Sequence, residues 1–127
     1  MAGAVINAVE WGVHGVVLRE DWTAAFAGLG KEVQFHAWLL FIIPGNFLVG
    51  ILAICLYAGI LRSRYGPGPK TASYAALTAW VVFFVIPTMA QVAIEIFPNW
   101  LQFTVIGVGL VDVTLGTLLG AWLYKEP

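Results

Sequence analysis

The chain has 127 residues, 61% hydrophobic and 10% charged, with a mean hydropathy of +0.89 and a net charge of −1. A soluble domain carries about 25% charged residues, so this composition is that of a membrane protein, and its length suits one transmembrane domain over residues 1–127. No basic tract is present, which excludes the electrostatic footprint of a nucleic-acid binder.

Crossing a hydrocarbon core about 30 Å thick takes roughly 20 apolar residues. The first segment, residues 4–19, is short for that task and carries Asn7, Glu10 and His14. It reads as a short spanning helix shielded by its neighbours, with an amphipathic helix lying in the interface as the alternative. It lacks the basic region of a signal peptide, so it would serve as an uncleaved anchor. Arg19-Glu20-Asp21-Trp22 reads as an interfacial exit, followed by a short surface helix over residues 24–29 capped by Asp21. Three longer apolar segments follow, at residues 33–62, 74–97 and 101–124. Pro44 and Pro87 each delete one backbone hydrogen bond and should kink the second and third helices. Pro98-Asn99 ends the third helix in a tight turn, so the last two helices pair as an antiparallel hairpin. The predicted fold class is all-α, an integral membrane four-helix bundle.

Basic residues orient it. Arg62, Arg64 and Lys70 lie in the loop between the second and third helices, and Lys125 lies at the C-terminus. Arg19 and Lys31 fall on the opposite side, beside Glu20, Asp21 and Glu32. The positive-inside rule therefore places the 62–73 loop and both termini in the cytoplasm, in a bacterial inner membrane. Trp22, Trp38 and Trp100 would mark the outer interface and Trp122 the inner one, while Trp11 and Trp80 read as packing residues. The single Cys55 sits in an apolar run and reads as a small buried side chain rather than a redox thiol.

The most informative residue is Asp112, near the middle of the last apolar segment with no Lys or Arg to pair with locally. An ionised carboxylate at that depth costs about 2.5–3.5 kcal/mol on insertion scales. Asp112 should therefore face protein, meet a polar partner or hold a proton. Glu10 and His14 are one helical turn apart, with Asn7 on the same stripe. Asn46 and Thr88 sit at comparable depth, so Glu10, His14, Asn46, Thr88 and Asp112 are expected to form one midplane polar cluster. Two carboxylates in such a cluster would not both ionise. The cluster suits either a satisfied structural network or a proton-handling site.

Gly109, Gly116 and Gly120 share one face of the last helix, and Gly116-Thr-Leu-Leu-Gly120 is a GxxxG that lets another backbone approach closely. A second constellation gathers toward the outer leaflet, where His14, His36, Gln91 and Glu95 could hold a metal, a haem or a quinone, without any fixed ligand spacing. Nucleophilic catalysis finds no motif, since the only serines, Ser63 and Ser73, lie in the basic loop. In that loop Gly and Pro alternate, making a rigid connector whose Arg62, Arg64 and Lys70 could meet anionic lipid headgroups.

A tyrosine-terminated helix, the loop Arg62-Ser-Arg-Tyr-Gly-Pro-Gly-Pro-Lys-Thr71, the following Ala-Leu-Thr-Ala-Trp80 and the ending Gly116-Thr-Leu-Leu-Gly-Ala-Trp-Leu-Tyr-Lys-Glu126 together resemble a group of small four-helix bacterial inner-membrane proteins. The resemblance covers the last three helices. It implies a bacterial origin and a fold of two hairpins, and it carries no catalytic residue across.

Three functions remain open at this level. The first is a non-catalytic subunit, without cofactor, that forms a homo-oligomer or joins a larger membrane complex through the glycine face of the last helix. The second is a proton-linked transporter or channel using Glu10, His14 and Asp112. The third is a haem, metal or quinone site near His14 and His36.

Overall fold

The computed structural model describes residues 1–30 and 38–124, and the side chains of all of these except Trp38 and Leu39. Among the described residues every regular element is a helix. Helix α1 covers Ala2–Glu10 and continues in wide π-helical turns through Trp11–Val17. Helix α2 is Arg19–Gly28. Three helices are long and apolar enough to cross a membrane: α3 (Leu40–Tyr65), α4 (Pro69–Ala93) and α5 (Asn99–Leu123).

Several boundaries differ from expectation, each for a local reason. Helix α2 starts at Arg19 with Leu18 at its N-cap, so Asp21 lies inside the first turn instead of capping it. Helix α4 starts at Pro69, ahead of residue 74, because proline at the first position has no N–H to lose and its φ is already helical. The turn before it uses Gly66 and Gly68 at φ of 83° and 124°, backbone that L side chains resist. At its other end α4 stops at Ala93, short of residue 97, and Glu95 takes a positive φ of 53°. Pro98 accounts for part of this, since it disfavours helical backbone at the residue before it.

Pro44 and Pro87 each occupy the second position of a regular α-helical stretch, Ile43–Leu56 and Ile86–Ala93. Each stretch follows wide π-helical turns, at Trp38–Ile42 and Val81–Val85. A proline ring collides with the carbonyl four residues back, and a widened turn carries that carbonyl away.

Helix α1 lies between α3 and α5 with its backbone against both. A Cβ on Gly50 would stand 2.8 Å from the Gly3 Cα and 3.0 Å from the Ala2 carbonyl carbon. One on Gly116 would stand 2.8 Å from the Ala2 carbonyl oxygen and 3.3 Å from Ile6 Cγ1. Only glycines admit such approach, and where lipid surrounds the helices this close packing is what holds them together. Ala2, Gly3, Ile6 and Glu10 form the buried stripe of α1 at helical spacing. The contacts run antiparallel, since Gly3 meets Phe47 and Gly50 while Asn7 meets Ile43 and Asn46.

Helix α4 joins the core through Ala72, Ala75, Ala76 and Ala79, all buried and spaced three and four apart. Ile6, Ala53, Ala76, Ala79, Phe84 and Val113 form the central cluster, and Tyr57, Ala72 and Ala75 a second one toward the 66–68 turn. The outer faces carry exposed Phe41, Leu48, Ile51, Ile86 and Met89, the surface a lipid-bathed chain presents. Two expectations of burial fail. Cys55 is exposed, and Trp11 is 50% exposed. Trp80 does pack, with its indole donating to the Ile106 carbonyl at 2.8 Å.

Candidate functional site

The buried face of α5 carries Gln102, Gly109, Asp112, Val113, Gly116 and Thr117. Asp112 is fully buried, and its carboxyl meets that of Glu10 on α1. No side chain donates to either Asp112 oxygen, the backbone N–H of Val113 being the donor beside the carboxyl, and Glu10 Oε1 receives no hydrogen bond either. Two acceptors set together in an apolar interior satisfy each other only through a proton held between them.

A glycine of α5 creates this meeting. Gly116 lets the α5 backbone close on α1 at Ala2 and Ile6, and Glu10, eight residues beyond Ala2 on the same stripe, then reaches the level of Asp112. His14 extends the chain of polar groups by one more turn. Its Nε2 stands 3.4 Å from Glu10 Oε2, and its Nδ1 accepts a 2.9 Å hydrogen bond from Trp22 Nε1. A neutral imidazole has one N–H, so the bond received at Nδ1 puts the proton on Nε2, facing Glu10. Trp22 is in turn held edge-on by Phe97, with ring centroids 5.2 Å apart.

Of the five residues expected in one midplane cluster, the structure joins Glu10, His14 and Asp112. Asn46 belongs to a separate pair, donating to Asn7 at 3.0 Å while Asn7 donates to the Ile43 carbonyl at 3.2 Å. Thr88 is buried at 3% exposure, and no hydrogen bond among the described residues links it to either carboxyl. Sequence reasoning passed over three relevant residues. Gln102 and Thr117 are fully buried with side-chain polar atoms that find no partner. Gln102 had a legible signal, since it stands one heptad before Gly109 and two before Gly116. Trp22 reads from sequence as a membrane-interface marker, and nothing local shows its bond to His14.

Of the outer-leaflet constellation, His36 lies outside the described residues, while Gln91 and Glu95 are exposed near the end of α4 and in the turn after it. Among the described residues no three His, Cys, Asp or Glu side chains converge as metal ligands. In the basic loop, Arg64 and Lys70 are exposed, whereas Arg62 is half-buried, with its guanidinium over the Tyr124 ring at 5.4 Å. The glycine face expected to bind other chains is filled from within. Gly116 and Gly120 lie against Ala2, Ile6 and Ile54, and Gly109 lies against the Phe84 ring. No family model, curated protein or solved structure matches the chain.

Proposed function

We propose that this chain is a bacterial inner-membrane protein that crosses the bilayer four times and exchanges protons at the Glu10–Asp112 carboxyl pair. The observation that carries this reading is the meeting of two buried carboxyls from different helices with no side-chain donor to either Asp112 oxygen. A pair holding one proton spreads a single negative charge over two groups, and a second proton removes it. Loading and unloading that proton is the chemistry the site can perform, with His14 as the relay beside Glu10.

Helix α1 serves as the fourth crossing. Its burial between α3 and α5 and its wide turns fit a short span shielded by longer ones, and the chain then bends at Pro44 and Pro87 within α3 and α4. Both termini and the 62–73 loop face the cytoplasm, so Glu10 and Asp112 sit near mid-depth and His14 lies toward the outside. The subunit reading, alone or in a homo-oligomer, would use a surface other than the glycine face of α5, which α1 and Phe84 cover.

The test is proton movement into vesicles containing the purified chain, driven by a potassium diffusion potential and followed with a trapped pH dye. Asp112→Asn keeps the side-chain shape and removes the titrating group, so flux should fall to that of empty vesicles while the protein stays folded. Flux equal to the unsubstituted chain would reject the proposal.

A further inference from the structure

We infer that α2 is a lid over the proton site, latched by the hydrogen bond from Trp22 to His14. The inference rests on the proton-exchange reading and adds the place where the site opens. His14 has two nitrogens with different exposures to the chemistry. Nε2 faces Glu10, and Nδ1 faces away from the carboxyl pair and is occupied by the Trp22 indole at 2.9 Å. A proton arriving from the outer side can bind only at Nδ1, because Nε2 already carries one. While Trp22 donates to that nitrogen, its lone pair is taken, and the relay is closed.

The construction of α2 suits a part that moves. None of its residues, Arg19–Gly28, is fully buried, so it has no core side chain to anchor it. It leaves α1 at Leu18, whose φ of −101° and ψ of 13° break the helix. On its inner side, Trp22 and Phe26 rest on the ring of Phe97 at centroid distances of 5.2 and 5.3 Å. Phe97 itself belongs to the turn between α4 and α5 that begins with the positive φ of Glu95. Among the contacts that hold the lid are the ring contacts on Phe97 and the hydrogen bond to His14. Elements with few buried contacts are those that open at low free-energy cost.

The proton balance is simple. With Trp22 withdrawn, an outside proton forms an N–H at Nδ1, giving imidazolium. The Nε2 proton then passes to Glu10 Oε2, leaving a neutral ring protonated at Nδ1. Trp22 cannot return to that tautomer, since two N–H groups would oppose each other. The lid closes again only after the Nδ1 proton has left to the outer side and Glu10 has returned a proton to Nε2, so the latch reports whether the relay has been reset.

The experiment uses the full chain in lipid nanodiscs with 15N-labelled histidine, His14 being assigned by its loss in His14→Gln. The unsubstituted chain should show His14 protonated at Nε2 and bare at Nδ1. Trp22→Phe keeps the ring contact with Phe97 and deletes the donor, so both tautomers should appear and vesicle proton flux should rise about tenfold, the factor one such bond is worth. Phe97→Leu loosens the clamp without touching His14 and should shift the tautomers the same way. An Nδ1–H tautomer in the unsubstituted chain, or tautomers unchanged by both substitutions, would overturn the lid. If the tautomers respond but no variant moves protons, the lid stands and the transport reading falls.

Discussion

Adding a single methyl group at Gly50 should expel α1 from the protein, and the structure sets the size of the effect. The new Cβ would lie 2.8 Å from the Gly3 Cα and 3.0 Å from the Ala2 carbonyl carbon, closer than nearly all real Cβ contacts. Overpacking a well-filled interior costs about 1–3 kcal/mol. Here the obstacle is backbone, which has no rotamer to escape into, so Gly50→Ala belongs at the upper end, about 2–3 kcal/mol. Gly116→Ala meets the Ala2 carbonyl oxygen at 2.8 Å and should cost nearly as much. The two substitutions press on the same residue from opposite sides. Moving α1 away from one drives it onto the other, so the double variant should lose at least the sum. Gly107→Ala is the control, with nothing within 4 Å of its Cβ, and should be neutral or slightly stabilising. Unfolding in mixed detergent micelles with increasing dodecyl sulfate, followed by tryptophan fluorescence, measures all four. Gly50→Ala and Gly116→Ala as stable as Gly107→Ala would refute the placement of α1 between α3 and α5.

Asn7→Ala removes the bonds to Asn46 and to the Ile43 carbonyl, and should destabilise the chain by about 0.6–1.7 kcal/mol, the span measured for polar contacts between membrane helices. Asn46→Ala should cost less, because it leaves the Ile43 bond intact. Gly68→Ala forces an L side chain into a φ of 124° and should lower stability by about 1–2 kcal/mol in the same assay, whereas Gly59→Ala, in open space, should not. Tyr57→Phe deletes the hydroxyl that accepts from the Gly68 amide at 3.2 Å, so amide exchange at Gly68 should quicken about three- to tenfold, with no change if that bond is absent.

Much of this arrangement was legible in the residues themselves. The apolar runs announced the three long helices, and the isolation of Asp112 announced a partner, because lipid tolerates no lone carboxylate. Glu10 and His14 were paired by helical spacing alone. Which groups would meet across helices was harder to read, since that depends on how far two backbones approach. Gly3 and Gly50 set α1 against α3 and so paired Asn46 with Asn7, outside the carboxyl site. The same closeness turned Gly116 and Gly120 into an internal seam, although a GxxxG written on one helix does not say whose backbone will fill it. Helix ends failed where proline acts on its neighbours, at Pro69 and before Pro98. Trp22 carried two meanings, interface anchor and hydrogen-bond donor, and only the fold of α2 over α1 distinguishes them.

The claim on which the whole account depends is that Glu10 and Asp112 hold a proton between them inside the membrane. Infrared difference spectroscopy of the chain in lipid bilayers at neutral pH reads this directly. A shared proton predicts a protonated carboxyl band that shifts in heavy water, disappears in Asp112→Asn and is altered in Glu10→Gln. A spectrum showing only ionised carboxylates, or a protonated band indifferent to both substitutions, would contradict it.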